Sequence, residues 1–375
     1  MTAQLLLGLA CCLAWAVLLF GRGFFWLSRD TDEPPAPDLA SWPAVTILVP
    51  ARDEAPSIGQ TVRSLLDQDY PGPLRLVVID DRSRDGTAEA AQAAAGGDGR
   101  FLLVSATGRL PGWTGKLSAL QQGLSAAQPD TPWLMFTDGD IQHAPDSLRR
   151  LIARGEREGC VLVSLMARLR CASPAERWFI PAFIFFFQML YPFRWARDPR
   201  ARTAAAAGGC VLLRREAFLA AGGLAPIRDR IIDDCALAAL MKRKGRIWIG
   251  LTDRVQSLRA ADRIGAIRRM VARTAYAQLG HSPLVLAGTV LGLGLVFLAP
   301  PLLLLLGEGA ARGLGLLAWG AMAVAYAPTL RFYRLPLWRA ALLPVVAAAY
   351  LAFTLDSAWQ HWRGRGGMWK GEPAP

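Results

Sequence analysis

The sequence predicts an α/β domain on a mostly parallel sheet, flanked by apolar, membrane-length helices at both ends of the chain. Three observations carry this expectation. Between residues 42 and 258, short near-continuous apolar runs alternate with helical patterns, as in a parallel sheet covered on both faces. Residues 1–21 contain no charged side chain, and from 282 to 330 only Glu308 and Arg312 are charged. The composition agrees: of 375 residues, 53% are hydrophobic and 19% charged, against about a quarter charged in soluble chains. With a mean hydropathy of +0.26, a disordered chain is excluded and a wholly soluble one disfavoured.

The apolar run at 1–27 is long enough at 1.5 Å per residue to cross a hydrocarbon core of about 30 Å. It lacks a basic leader and an A-x-A site, so a retained anchor is expected rather than a cleaved signal. Arg22 and Arg29 follow its uncharged part, 1–21, and place the next segment on the cytoplasmic side. Strands are then expected at 45–50, 74–80, 101–106 and 132–137. Helices fall between them, marked by Ile58, Val62, Leu65 and Leu66, by the Ala-rich stretch 88–95, and by Leu117, Leu120 and Leu124. Pro145 is expected to open a further helix carrying Leu148, Leu151 and Ile152.

The aromatic stretch 176–195 is short for a span and interrupted by Pro181 and Pro192. It reads as an interfacial segment, with a buried core helix as the alternative. An amphipathic helix is expected at 262–281 and membrane helices across 282–358, with spans near 283–306, 314–330 and 340–355. A basic tail follows at 359–375. Three C-terminal spans put that tail outside, against the charge rule. Six cysteines show no CxxC pair and read as buried hydrophobes; His143, His281 and His361 are too scattered for a zinc site. The net charge of +12 suits an anionic membrane surface, a phosphorylated substrate or a nucleic acid without choosing among them.

Five constellations follow strand ends, where ligands of such sheets bind. In FTDGDI (136–141), Asp138 and Asp140 leave an extended chain on one face and suit a hard divalent cation, Mg²⁺ or Mn²⁺, gripping a diphosphate. In VIDDRSRDGT (78–87), Asp80 and Asp81 are placed to hydrogen-bond a base or ribose, while Asp85 caps the turn; no G-x-G-x-x-G accompanies them. In PARDEAPSI (50–58), Glu54 faces the same rim and Ser57 caps a helix. In GWTGKLSAL (112–120), Lys116 follows two glycines and opens a helix, a setting for phosphate although not a Walker A loop. In IIDDCALAALMKRKG (231–245), one of Asp233 and Asp234 caps a helix and the other is free to act as a general base.

In this order and spacing, PARDE, VIDDRSRDGT, Gly115-Lys116, TDGD and IIDD resemble the family 2 inverting glycosyltransferases, whose GT-A fold is Rossmann-like, over about 42–260. Residues 164–195, 203–217 and 268–279 extend the resemblance to the hopene-associated glycosyltransferases of bacteria, multi-pass proteins of the inner membrane with the catalytic domain facing the cytoplasm. The resemblance implies transfer of a sugar from a nucleotide sugar to a lipid acceptor in hopanoid metabolism, with no nucleic acid as partner. Asp80, Asp81, Glu54 and Lys116 would hold the nucleotide sugar together with Pro50, Asp138 and Gly139. Asp138 and Asp140 would bind Mg²⁺ or Mn²⁺, and Asp234, beside Asp233, would be the base. Processive relatives carry Q-x-x-R-W after the base; here Met270, Val271, Ala272, Arg273 and Thr274 keep only the arginine, which argues against polymer synthesis and leaves Arg273 as a diphosphate or acceptor contact. Asp53, where the family has Asn, and Gly139, where the subfamily has Ala, are departures. A polyprenyl-phosphate acceptor and a non-catalytic nucleotide-sugar-binding protein are the alternatives.

Overall fold

In the computed structural model, which describes residues 2–35 and 37–366, the chain divides into two units: 30–170 with 195–260, and the described residues of 1–29, 171–194 and 261–367. The first holds the sheet. Its strands are β1 Val45–Ala51, β2 Leu74–Asp80, β3 Phe101–Ser105, β4 Trp133–Phe136, β5 Ile141–His143, β6 Cys160–Arg168, β7 Val211–Arg214 and β8 Arg246–Ser257. They are ordered β3-β2-β1-β4-β7-β6-β8-β5. The four strands expected from sequence form the parallel half, in register Val45↔Leu74, Val45↔Trp133 and Leu76↔Phe101. The other half is mixed: β6 and β8 are parallel, while β7 and β5 run antiparallel to their neighbours.

Alternate residues of the central strands enter two separate cores, as a pleated sheet requires. Ile47, Val49, Leu76, Val78 and Met135 pack with Ile58, Val62, Leu65, Leu148 and Leu151 on one face. Leu48, Val77, Ile79, Leu134 and Phe136 pack with Leu117, Leu120, Leu237 and Met241 on the other. The faces are therefore covered by helices Ala55–Leu66, Thr87–Ala95 and Ser147–Arg157, and by Gly115–Ala127 and Asp233–Lys242. Gly123 sets the approach of one helix: a Cβ there would lie 2.4 Å from Ile79 Cγ1. Pro145 does not open its helix, which starts at Ser147 behind Asp146.

The second unit is helical. Among the described residues, four helices are long and apolar enough to cross a membrane: Ala3–Phe20, Pro283–Leu306, Ala310–Phe332 and Leu337–Trp362. The three C-terminal ones match the expected spans, two of them with longer ends. Pro283–Leu306 passes through a π-helical turn, Gly294–Leu298, just ahead of Pro300 and Pro301. Prolines remove backbone donors, and carbonyls in this turn find partners instead in Trp15 Nε1, 2.8 Å from Val296 O, and Cys11 Sγ, 3.3 Å from Leu295 O. Most of the aromatic stretch forms one helix, Pro174–Leu190, in the same unit, and Pro181 lies inside it without breaking it; Pro192 does interrupt the stretch, and a short helix, Phe193–Arg197, follows. The helix expected at 262–281 is two, Ile264–Ala272 and Ala275–Gln278, with Arg273 capping the first. Leu337–Trp362 runs past 359, where the tail was expected, and residues 367–375 of that tail lie outside the described residues. His281 and His361, far apart in sequence, stack at 4.1 Å, yet no group of three metal-ligand side chains converges among the described residues. All six cysteines lie within the described residues, and none is in a disulfide.

Candidate active site

The carboxyl ends of β1, β2 and β4 and the start of helix Asp233–Lys242 bring the acidic motifs of the first unit to three small clusters, each built around a basic side chain. In the first, Lys116 Nζ lies 2.8 Å from Asp138 Oδ1 and 3.3 Å from Asp233 Oδ2. Asp234 completes the group: its Oδ2 accepts the Gly208 N–H at 3.0 Å and its Oδ1 accepts the Cys235 N–H at 2.7 Å. Asp234, not Asp233, thus bonds the backbone at the helix start. Gly208 leaves room for the lysine, since a Cβ there would sit 3.0 Å from Lys116 Nζ, displacing it slightly, and in ordinary contact, 3.6 Å, with Asp234 Oδ2.

Burial raises the Asp234 carboxyl to about 6, and the neighbouring Asp233 adds to this while Lys116 opposes it. For Lys116, burial disfavours the ammonium, but Asp138, Asp233 and Asp234 outweigh it and hold the group protonated well above its ordinary range.

The second cluster lies around Asp140. Residues 138–140 are not extended: Gly139 and Asp140 form a turn, so Asp138 meets Lys116 while Asp140 Oδ2 accepts from Arg259 Nε at 2.7 Å. Arg259 Nη2 also donates to Glu54 Oε1. The turn is pinned from behind, as Ser57 and Thr61 hydroxyls donate to Gly139 O at 3.2 and 3.0 Å and Leu258 N donates to Asp140 O at 2.7 Å. Ser57 therefore supports the turn instead of capping its helix. Below it, Thr137 bonds buried His143, whose imidazole burial pushes down to about 3 and keeps neutral.

In the third cluster Asp81 pairs with Arg52 at 3.3 Å and Arg82 at 3.2 Å. Asp80 Oδ2 accepts from Ser83 N at 3.3 Å, and its buried Oδ1 has no hydrogen-bond partner. Asp85 does cap the turn, accepting from Thr87 N and also from Ala55 N, which ties this loop to the one after β1. Pro50 is buried within β1.

Arg273 belongs to the second unit and is not among these groups. Arg259 and Gly208 take part in these clusters, and the sequence did not single them out. Arg259 is a lone arginine following a strand that went unread, and nothing in its local pattern marks it.

A divalent cation fits this donor set in one particular mode. The carboxylates are hard oxygen ligands at a rim that already concentrates cationic groups, but no cage of three or more ligand side chains exists among the described residues. Mg²⁺ and Mn²⁺ at phosphate sites are held in this way, by one or two carboxylates, water and the substrate's own phosphate oxygens.

Comparison with known proteins agrees with the geometry. The sequence profile described as Glycosyl transferase family 2 matches residues 46–220. An N-acetylglucosaminyltransferase of Mesorhizobium japonicum is 27% identical over 175 residues, covering 45% of this chain and 39% of that protein. The chain spans 35–39% of the length of the first curated relatives it matches. A shorter N-acetylglucosaminyltransferase of Rhizobium leguminosarum bv. trifolii is 31% identical over 160 residues, 42% of this chain and 83% of that one. Among solved structures, the mannosyltransferase PcManGT from Pyrobaculum calidifontis, in complex with GDP-Man and Mn²⁺, aligns with a TM-score of 0.62 at 22% identity, over 96% of this chain and 99% of that one. That likeness establishes the GT-A-like fold. With most of the shorter rhizobial protein aligned and the profile covering β1, β2 and β4, whose ends carry the acidic clusters, the chain belongs to glycosyl transferase family 2.

Proposed function

We propose that the chain is a membrane-bound, inverting glycosyltransferase that moves one sugar from a nucleotide-sugar donor to the hydroxyl of a lipid acceptor. The observation that carries this reading is the Lys116–Asp138–Asp233–Asp234 cluster, in which one carboxyl is held near 6 beside a permanently charged ammonium. Asp234 is ionised at neutral pH yet basic enough to take a proton, the requirement for a general base. As the acceptor O–H gives its proton to Asp234, the oxygen bonds the anomeric carbon. The bond from that carbon to the diphosphate breaks, and the electron pair leaves with the nucleoside diphosphate. Attack opposite the leaving group inverts the centre in one step. Lys116 supplies positive charge where negative charge develops on the leaving group, an electrostatic contribution that needs no rearrangement. Asp80 and Asp81 face the nucleoside, the unpartnered Asp80 Oδ1 being available to a base or ribose donor. Mg²⁺ or Mn²⁺, when bound at Asp138 or Asp140, would neutralise the diphosphate oxygens; binding of GDP-Man and Mn²⁺ by the mannosyltransferase of like fold supports this.

The acceptor is proposed to be a hopanoid-type lipid in the bacterial inner membrane, with the catalytic unit on the cytoplasmic side. Four candidate spans support membrane association, and the Arg-rich flanks at Arg22, Arg29, Arg331 and Arg334 support the orientation. Arg273 is kept as a proposed acceptor or diphosphate contact. Purified protein offered a panel of nucleotide sugars with lipid extract tests the whole reading. Release of one nucleoside diphosphate, dependent on lipid and on Asp234, is expected. Failure of every donor to react in the presence of Mn²⁺ and lipid overturns it.

A further inference from the structure

The contact between Arg259 and the 138–140 turn does more than fill space. Asp140 and Glu54 have nearly buried side chains, 10% and 13% exposed, and approach one another through a single guanidinium. Two buried carboxylates this close, with nothing between them, would pay both desolvation and mutual repulsion. Arg259 offsets both with a fork suited to carboxylates, Nε to Asp140 and Nη2 to Glu54. The arginine is not an incidental surface group reaching in. Pairing of Ile141 with Ser257 across β5 and β8, and the 2.7 Å bond from Leu258 N to Asp140 O, fix the backbone that carries it directly beside the turn. Its own side chain remains 52% exposed, so it has somewhere to go.

We propose that Arg259 is a resident counter-cation that keeps Asp140 and Glu54 closed to a free divalent cation, yielding them only when a nucleoside diphosphate brings further ligands to that cation. This rests on the reading of the 138–140 turn as the metal-binding element. A hydrated Mg²⁺ or Mn²⁺ arriving alone must displace a charged, bidentate partner for the gain of one or two carboxylates. Arriving on a diphosphate, it brings phosphate ligands with it, and the arginine, once released, has an anion beside it to pair with. The consequence is ordered loading: the cation enters with the donor and leaves with the product, and the metal-free site stays compact.

The experiment measures Mn²⁺ binding to the full-length protein in detergent micelles, by electron paramagnetic resonance of the free ion, with and without UDP or GDP. Without nucleotide, Arg259→Gln is expected to bind Mn²⁺ at least fivefold more tightly than the native protein. The enhancement of Mn²⁺ affinity by nucleotide should shrink by a similar factor. Should Arg259→Gln not fold, Arg259→Lys, whose single ammonium cannot reproduce the fork, is read in the same way and should tighten Mn²⁺ at least twofold. Unchanged or weaker Mn²⁺ affinity in the folded variant overturns the counter-cation role while leaving the metal reading intact. Absence of Mn²⁺ binding in every form, even with UDP or GDP, overturns the metal reading and this inference together.

Discussion

Replacing Lys116 with Gln tests the electrostatics of the site most directly. In the native protein the ammonium stands 2.8 Å from Asp138 and 3.3 Å from Asp233, and shares with Asp234 the space beside Gly208. Taking roughly 5 Å between the ammonium and the Asp234 carboxylate and an effective dielectric near 20, removing the charge withdraws about 3 kcal/mol from the ionised carboxylate. One pH unit corresponds to about 1.4 kcal/mol, so the Asp234 titration should rise by about two units. Water entering the vacated space lowers this figure, leaving one unit as the smallest shift compatible with the geometry. The assay is release of nucleoside diphosphate, with kcat/KM measured from pH 5 to 9 in detergent micelles. That parameter reports groups of the free enzyme, and the native acid limb is expected at the Asp234 value of about 6. Below it the base is protonated and the rate falls tenfold per unit. In Lys116→Gln the limb should move to between 7 and 8, whatever the loss in maximal rate. A limb that stays near 6 in the variant refutes the claim that Lys116 sets the state of Asp234.

Other outcomes follow from the same geometry. Asp234→Asn should bind donor with native affinity, by isothermal titration, and show transfer reduced at least a hundredfold; comparable turnover would assign the base elsewhere. The same variant should melt higher than the native protein at pH 7–8. A carboxyl raised from 3.8 to about 6 on folding contributes stability that is lost as pH rises through that interval, so the difference should vanish below pH 4. Asp138→Ala should abolish turnover without lowering expression, and EDTA should silence the native enzyme until Mn²⁺ is restored; full activity in EDTA would contradict the metal assignment. Gly123→Ala should cost about 1–3 kcal/mol in a denaturant titration, because its Cβ meets Ile79 at 2.4 Å; native stability would show that the helix shifts freely.

Much of the fold was legible because its signals are local. The β1, β2 and β4 runs are largely buried and β3 half-buried, all four reading as short apolar segments, and the candidate spans are long and carry few charged residues. The second half of the sheet was not legible in the same way. Strands β5 to β8 went unread whatever their length, from three residues in β5 to twelve in β8, and whether each pairs parallel or antiparallel depends on neighbours distant in sequence. Pro181 marked a break that did not occur, because the helix Pro174–Leu190 is packed within its own helical unit and tertiary packing overrides the local penalty.

Which acidic residues exist, and that they follow strand ends, is written in the chain itself, since covalent spacing and the two-residue period of a strand are properties of sequence. Which basic partner each receives is not. Lys116 meets Asp138 and Asp233 only after a helix start and two loops converge, and Arg259 reaches Asp140 only because β8 pairs with β5 some 119 positions away. Charge interactions at this range depend on separations of a few ångströms. Such separations are fixed by packing, so the division of the rim into a Lys116 cluster and an Arg259 cluster belongs to the tertiary structure alone.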